Sequence, residues 1–169
     1  MTSHTDPSYV IFDGDTDGWA YQFMRGWKAN ERVDFNFFDA HSLDTMTSRA
    51  QSEDYVKRNL EERMRQSSAA VVLIGEKTRN LYRFVRWELE LALDLKLPII
   101  ATNLNDSRQQ DANCPPIIRD QCVVHVPFKM RAIRFALDNW PDEYRPMSAV
   151  DRGGGARHYG SHIYANLGL

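Results

Sequence analysis

The sequence predicts an α/β fold, with a parallel β-sheet covered by helices on both faces. Three observations predict it. Short apolar runs rich in β-branched residues recur along the chain, as they do in strands buried on both sides. Longer segments between them carry apolar residues at spacings of three and four, the signature of an amphipathic helix. The two patterns alternate, and repeated strand–helix units imply parallel strands joined by crossover helices.

The elements follow in order. Tyr9-Val10-Ile11-Phe12 is an apolar run that reads as the first strand, closed by Asp13-Gly14-Asp15-Thr16-Asp17-Gly18. In the helix after it, Trp19, Ala20, Phe23, Met24 and Trp27 share a face, with Gln22, Arg25 and Lys28 outside. Val33–Phe38 alternates and then turns apolar, a second strand that Asp39-Ala40-His41-Ser42 closes. After a polar connection, Val56, Leu60 and Met64 line one side of a second helix and Glu53, Lys57 and Glu61 the other. Ser48 or Ser52 is placed to cap it. Ala69–Ile74 is the most apolar run, stopped by Gly75. The third helix turns Phe84, Val85, Leu89, Leu91, Ala92 and Leu95 inward, and Arg83, Arg86, Glu90 and Asp94 outward.

Pro98–Thr102 reads as a fourth strand, with proline tolerated at its first residue. Leu104–Ile118 is polar and holds Pro115-Pro116, so it reads as a loop. Cys122–Val126 is a fifth strand stopped by Pro127. A last helix uses Met130, Ile133, Leu137 and Trp140, and Pro141 is expected to end it. One domain is expected over residues 1–169, with a core at about 8–140 and an irregular tail over 141–169. By spacing, the tryptophans are mostly core.

Glu88 breaks the pattern of its helix. It lies four residues after Phe84 and three before Leu91, on the apolar side beside Trp87. A carboxylate turned inward costs free energy unless it is paired or hydrogen-bonded. Such residues concentrate at functional sites, although structural pairs perturb carboxylates too. The pattern alone leaves both open.

The totals exclude several classes. A chain of 169 residues, 43% hydrophobic and 26% charged, suits a folded domain rather than a disordered or fibrous one. A net charge of −2 gives no electrostatic reason to expect nucleic acid or an anionic membrane. No apolar run approaches the ~20 residues of a membrane span. The opening MTSHTDPS has neither the basic region nor the apolar core of a secretory signal. Cys114 and Cys122 do not make a disulfide framework, so a cytoplasmic setting is expected.

Motifs narrow the chemistry further. Asp13–Gly18 matches the opening of a calcium loop, but Met24 stands where the bidentate glutamate is required. A receiver domain needs an aspartate after the third strand, where Ile74-Gly75 stands, although Lys129 would suit it. The D-x-D after a strand also fits a haloacid-dehalogenase nucleophile, whose other motifs are missing. The plain alternative is a turn rich in Asp and Gly. There is no G-x-G-x-x-G between strand and helix and no P-loop. The five histidines include no i,i+4 pair on a helix, so no metal site is expected. Asp39 and His41 end a strand and either face a ligand or cap a turn.

Several of these segments together resemble a known family. They are Tyr9-Val10-Ile11-Phe12-Asp13, Phe37-Phe38-Asp39-Ala40, Val72-Leu73-Ile74-Gly75-Glu76-Lys77-Thr78, Phe84–Glu90 and Leu97-Pro98-Ile99-Ile100. The chain resembles, over about residues 9–139, the TIR-like proteins that include the NAD-consuming ThsB subunits of the bacterial Thoeris antiphage system. The ending Tyr164–Leu169 is also similar. Asp13-Gly14 departs from the Ser-Phe pair of many relatives.

The resemblance implies a flavodoxin-like three-layer sandwich with a five-stranded parallel sheet in the order 2-1-3-4-5. It implies an NAD+ glycohydrolase or ADP-ribosyl cyclase that yields nicotinamide and a linear or cyclic ADP-ribose signal. By matching, Glu88 is the catalytic glutamate. Phe12, Asp13, Asp15, Asp39, His41, Ser42 and Trp87 border the NAD+ pocket. NAD+ is then a substrate and no cofactor is expected. The implied partners are further copies of the chain and an effector that senses the product, without nucleic acid or membrane. Two other classes remain: a non-catalytic TIR-like interaction module and a receiver-like signalling domain.

Overall fold

The run Ala70–Ile74 has no polar side chain to offer water, and it forms an interior strand buried along its whole length. The structure, a computed structural model, describes residues 7–30, 36–38, 53–81 and 84–169. The elements are β1 (Ser8–Ile11), α1 (Gly18–Ala29), β2 (Phe37–Phe38), α2 (Glu53–Arg65), β3 (Ala70–Ile74) and α3 (Phe84–Asp94). They continue with β4 (Ile99–Asn103), β5 (Val124–Pro127), α4 (Met130–Tyr144), α5 (Ala149–Arg152), β6 (Arg157–His158) and α6 (Ser161–Asn166). The strands form one parallel sheet in the order β2-β1-β3-β4-β5-β6. The expected flavodoxin-like order 2-1-3-4-5 is present, and the short β6 extends it.

Strand alternation sorts the core into two layers. Val10, Phe12, Val71, Leu73 and Ile100 pack with residues of α1 and α4 on one face. Tyr9, Ile11, Ala70, Val72 and Ile74 pack with Leu60 and Met64 of α2 and Val85, Leu89 and Ala92 of α3 on the other. Each fully buried aliphatic side chain contributes about 1.5–3 kcal/mol relative to exposure. These layers outweigh the short length of the strands. Among the described residues, no helix is long and apolar enough to cross a membrane.

Four expectations are corrected. The inward residues of α1 are Ala20, Tyr21 and Met24, while Trp19 and Phe23 are 49% and 58% exposed. The helix is rotated because Tyr21 stacks on Phe12, just past the end of β1, at 4.5 Å and meets the ring of Phe37 at 5.7 Å. Those aromatic partners outcompete a simple apolar stripe. Of the tryptophans, Trp140 is buried, Trp27 and Trp87 are half-buried, and Trp19 is exposed.

Pro141 does not end α4, which runs on to Tyr144. Proline lacks the N–H that would reach back one turn. Burial of Trp140, Pro141 and Tyr144 offsets that loss, and the Arg145 N–H donates to the Pro141 carbonyl at 3.1 Å.

The segment after Pro141 is not irregular. Ser148 and Asp151 form a capping box that starts α5. The Arg157 N–H donates to the Val123 carbonyl at 2.8 Å, so β6 covers the edge of β5. Tyr164 of α6 is buried against the α1/α4 layer. The proposed caps Ser48 and Ser52, and the first residues of the expected second strand, lie outside the described residues.

At the strand tips, Asp17 ends the β1–α1 turn and its carboxylate accepts from the Thr78 hydroxyl at 3.0 Å. The Thr78 hydroxyl oxygen accepts from the Gly75 N–H at 2.9 Å. A Cβ on Gly75 would sit 2.3 Å from an Asp17 carboxylate oxygen, so only glycine lets the turn close over β3. Gly75→Ala is expected to cost about 1–3 kcal/mol through overpacking, read as a lower urea midpoint. An unchanged midpoint would contradict the contact.

His125 of β5 is fully buried, and neither ring nitrogen has a hydrogen-bond partner among the described residues. Burial pushes its pKa down to about 4. The unfolded chain takes up this proton below about pH 6.5, while the folded chain resists until about pH 4. Stability is therefore present above pH 6.5 and lost as pH falls toward 4, by up to roughly 3 kcal/mol. Unfolding of His125→Phe measured across that window should show a shallower loss than the wild type.

Candidate functional site

Glu88 sits in the second turn of α3, on the same stripe as Val85, Leu89 and Ala92. That stripe faces the sheet, so the carboxylate is carried inward and is 1% exposed. Burial of an ionisable group demands a partner. Tyr9 of β1, which alternation turns toward α3, supplies one. Its hydroxyl donates to Glu88 Oε2 at 2.5 Å, the short distance of a charge-assisted O–H···O bond.

The electrostatics fix the direction of this bond. Burial, followed by the negative charge of Glu88 and the hydrogen bond itself, pushes the Tyr9 hydroxyl far above the ordinary phenol range. The positive charge of Arg63 on α2 opposes the shift. The direction of the shift favours the protonated phenol, so Tyr9 is the donor to the Glu88 carboxyl group. The pair fixes the Glu88 carboxyl group in one place inside the α2/α3 layer.

The other expected site residues are distributed as follows. Trp87 flanks Glu88 on α3 and carries the Lys57 ammonium of α2 over its ring at 5.7 Å. Phe12 points to the opposite face of the sheet, stacked on Tyr21. Asp13 is buried at the tip of β1, where its side chain accepts from the Asp15 N–H at 2.9 Å and its carbonyl from the Asp17 N–H at 2.8 Å. It shapes the turn. Asp15 is exposed. Asp39, His41 and Ser42 lie outside the described residues.

Glu88 is thus brought beside Trp87 and apart from Phe12. Tyr9, its direct partner, was read only as a strand residue. The available signal was parity: Tyr9 and Ile11 share a face, and Tyr9 is the polar member.

A cleft of about 360 Å³ opens at the tips of β1, β3 and β4, with Asp17, Trp19, Glu76, Lys77, Leu104 and Asn113 among its walls. Neither Glu88 nor Asp13 lines it. Among the described residues no cluster of three or more His, Cys, Asp or Glu side chains is arranged to hold a metal.

Comparison with curated proteins returns no match. The sequence model of the family described as Thoeris protein ThsB, TIR-like domain, matches residues 8–109. This stretch runs from β1 through β4 and holds both Tyr9 and Glu88; β5, β6 and α4 to α6 lie beyond it. With a buried glutamate in α3 under a parallel sheet, and with more than half its length matched, the chain belongs to the Thoeris ThsB TIR-like domain family.

Proposed function

We propose that the protein consumes NAD+ in bacterial antiphage defence and that Glu88 is its catalytic carboxylate. The observation that carries this is an inward glutamate on α3, held by the hydroxyl of Tyr9, in a chain of this family. Cleavage breaks the bond between the ribose C1′ and the nicotinamide nitrogen. Nicotinamide leaves with the electron pair and becomes neutral, so it needs no acid. The ribose acquires oxocarbenium character, as in glycoside hydrolysis. A fixed carboxylate beside it stabilises that charge. Water then captures C1′ and loses a proton, giving ADP-ribose. Capture by a nucleophile of the adenine end instead closes a ring, favoured by its high effective concentration.

Tyr9 acts through Glu88 as a positioning residue. Its hydrogen bond favours the charged carboxylate and fixes its orientation. At 1% exposure Glu88 is covered, so turnover requires a rearrangement that admits substrate. Assembly of several copies of the chain is the step proposed to provide it, and an effector that senses the product is the proposed partner. The same burial favours a second function, a non-catalytic TIR-like interaction module in which Tyr9 and Glu88 only tie β1 to α3.

Glu88→Gln keeps an acceptor for Tyr9 and is expected to fold. Nicotinamide release from NAD+, followed by mass spectrometry, should fall by roughly 10²–10³-fold. Full activity in this variant would remove Glu88 from the chemistry. Wild-type protein that leaves NAD+ intact, both alone and with extract of infected cells, would favour the interaction module.

Tyr9→Phe should lower kcat about tenfold with little change in KM. It should also move the acidic limb of the kcat profile to higher pH, because the carboxylate loses a donor that favoured its charged form. A structural role alone would lower stability without moving that limb.

A further inference from the structure

A second cavity, of about 260 Å³, lies at the β6 edge of the domain, where the loop after β4 meets the turn from β6 into α6. It shares no lining residue with the cleft around Trp19, and neither Tyr9 nor Glu88 borders it.

Both walls are held from behind. The side-chain amide of the buried Asn103 donates to the Ser107 carbonyl at 2.9 Å and to the Gln109 carbonyl at 3.1 Å. The backbone is therefore pinned on either side of Arg108. The Arg108 guanidinium lies over the ring of Tyr164, 4.2 Å from its centre. That ring is packed into the α1/α4 layer and is 1% exposed, so the platform under the guanidinium is fixed. On the other wall, the ladder from β5 to β6 places His158, and Ser161 opens α6 three residues later.

The donors of this cavity are unspent. Arg65 and Arg86 bond to glutamates and Arg119 to carbonyls. Arg108 is exposed and, among the described residues, makes only its ring contact, with no hydrogen bond and no ion pair. A guanidinium laid flat on a ring keeps its N–H groups in one plane, the fork that grips two oxygens of one anion. The side chains of Gln109, His158 and Ser161 also make no hydrogen bond among the described residues. The Tyr164 hydroxyl is buried and likewise unpartnered among them. No residue lining the cavity is acidic.

This donor set selects an anion with more than two oxygens. A carboxylate is planar and is filled by the arginine fork alone. A terminal phosphate is tetrahedral, so it can take the fork from one wall and a hydroxyl and an imidazole N–H from the other. The volume is below the ~300–1,000 Å³ of sites for drug-sized ligands, which suits a phosphate group and a small remainder rather than a dinucleotide.

We propose that this cavity binds the terminal phosphate of a small phosphate monoester, with Arg108 as its bidentate partner and Ser161 and His158 as donors from the opposite wall. The site is independent of the NAD+ reading of Glu88. Its second wall, His158 to Tyr164, lies beyond the stretch that the family's sequence model matches.

Calorimetric titration of the full chain at low salt with ribose 5-phosphate and inorganic phosphate tests it, with ribose and acetate as controls. Both phosphates should bind, and ribose and acetate about tenfold more weakly or less still. Arg108→Ala should weaken ribose 5-phosphate by about tenfold or more. Arg108→Lys keeps the charge without the fork and should recover only part of that loss. Ser161→Ala should weaken it several-fold. Arg108 and Ser161 are exposed, so the urea midpoints of these variants should stay at the wild-type value. Glu88→Gln should bind as the wild type does. Absence of phosphate binding at millimolar concentration overturns the proposal. So does affinity unchanged by Arg108→Ala, or acetate or ribose that binds as tightly as ribose 5-phosphate. Loss of binding in Glu88→Gln would also overturn it, by placing the anion at Glu88.

Discussion

The hydrogen bond from Tyr9 to Glu88 ties the sheet to its helical cover. A carboxylate drawn into an apolar layer requires a donor, and removing the donor costs more than the bond itself contributes. The bond therefore fixes two things together. The parity of β1 must turn Tyr9 toward α3, and the phase of α3 must turn Glu88 toward β1. A slip of one residue in β1 would exchange Tyr9 and Ile11 for Val10 and Phe12 and strand the charge. Leu60, Met64, Val85 and Leu89 belong to the same buried layer as Tyr9, and an apolar surrounding strengthens a satisfied hydrogen bond.

A second constraint acts at the strand tips. The Asp17 carboxylate, the Thr78 hydroxyl and the Gly75 backbone form a short chain of hydrogen bonds between the ends of β1 and β3. Burial raises the Asp17 carboxyl above its ordinary value, and the Thr78 bond opposes that shift. This chain brings the β1–α1 turn down over β3 and leaves Trp19 at the rim of the cleft. The domain thus holds two separate polar arrangements. One is the buried Tyr9–Glu88 pair inside the α2/α3 layer. The other borders an open cleft walled by Asp17, Trp19, Glu76 and Lys77 among others.

Much of the fold was legible in the residues. The runs around Val10, Val72, Ile100 and Val124 are strands because they bury both faces, and that needs no knowledge of their neighbours. The inward position of Glu88 followed from helical spacing alone. The phase of α1 was not legible. Trp19, Phe23 and Trp27 present as good a stripe as Tyr21 and Met24, and the choice fell to the rings of Phe12 and Phe37. β6 was hidden because two residues carry no periodicity; it exists because the edge of β5 offers hydrogen bonds. The continuation of α4 past Pro141 was hidden for a similar reason, since the burial of Trp140 and Tyr144 is a long-range gain.

By itself, then, the sequence determined the class of fold, the parallel sheet and the misfit of Glu88. Each depends on local patterns of apolar and polar side chains. The tertiary structure alone decided which partner meets that carboxylate, which face of α1 is buried, and that Asp17, Trp19 and Asn113 border one cleft. These are contacts between residues far apart in the chain. They depend on register, packing and distance, which no local pattern encodes.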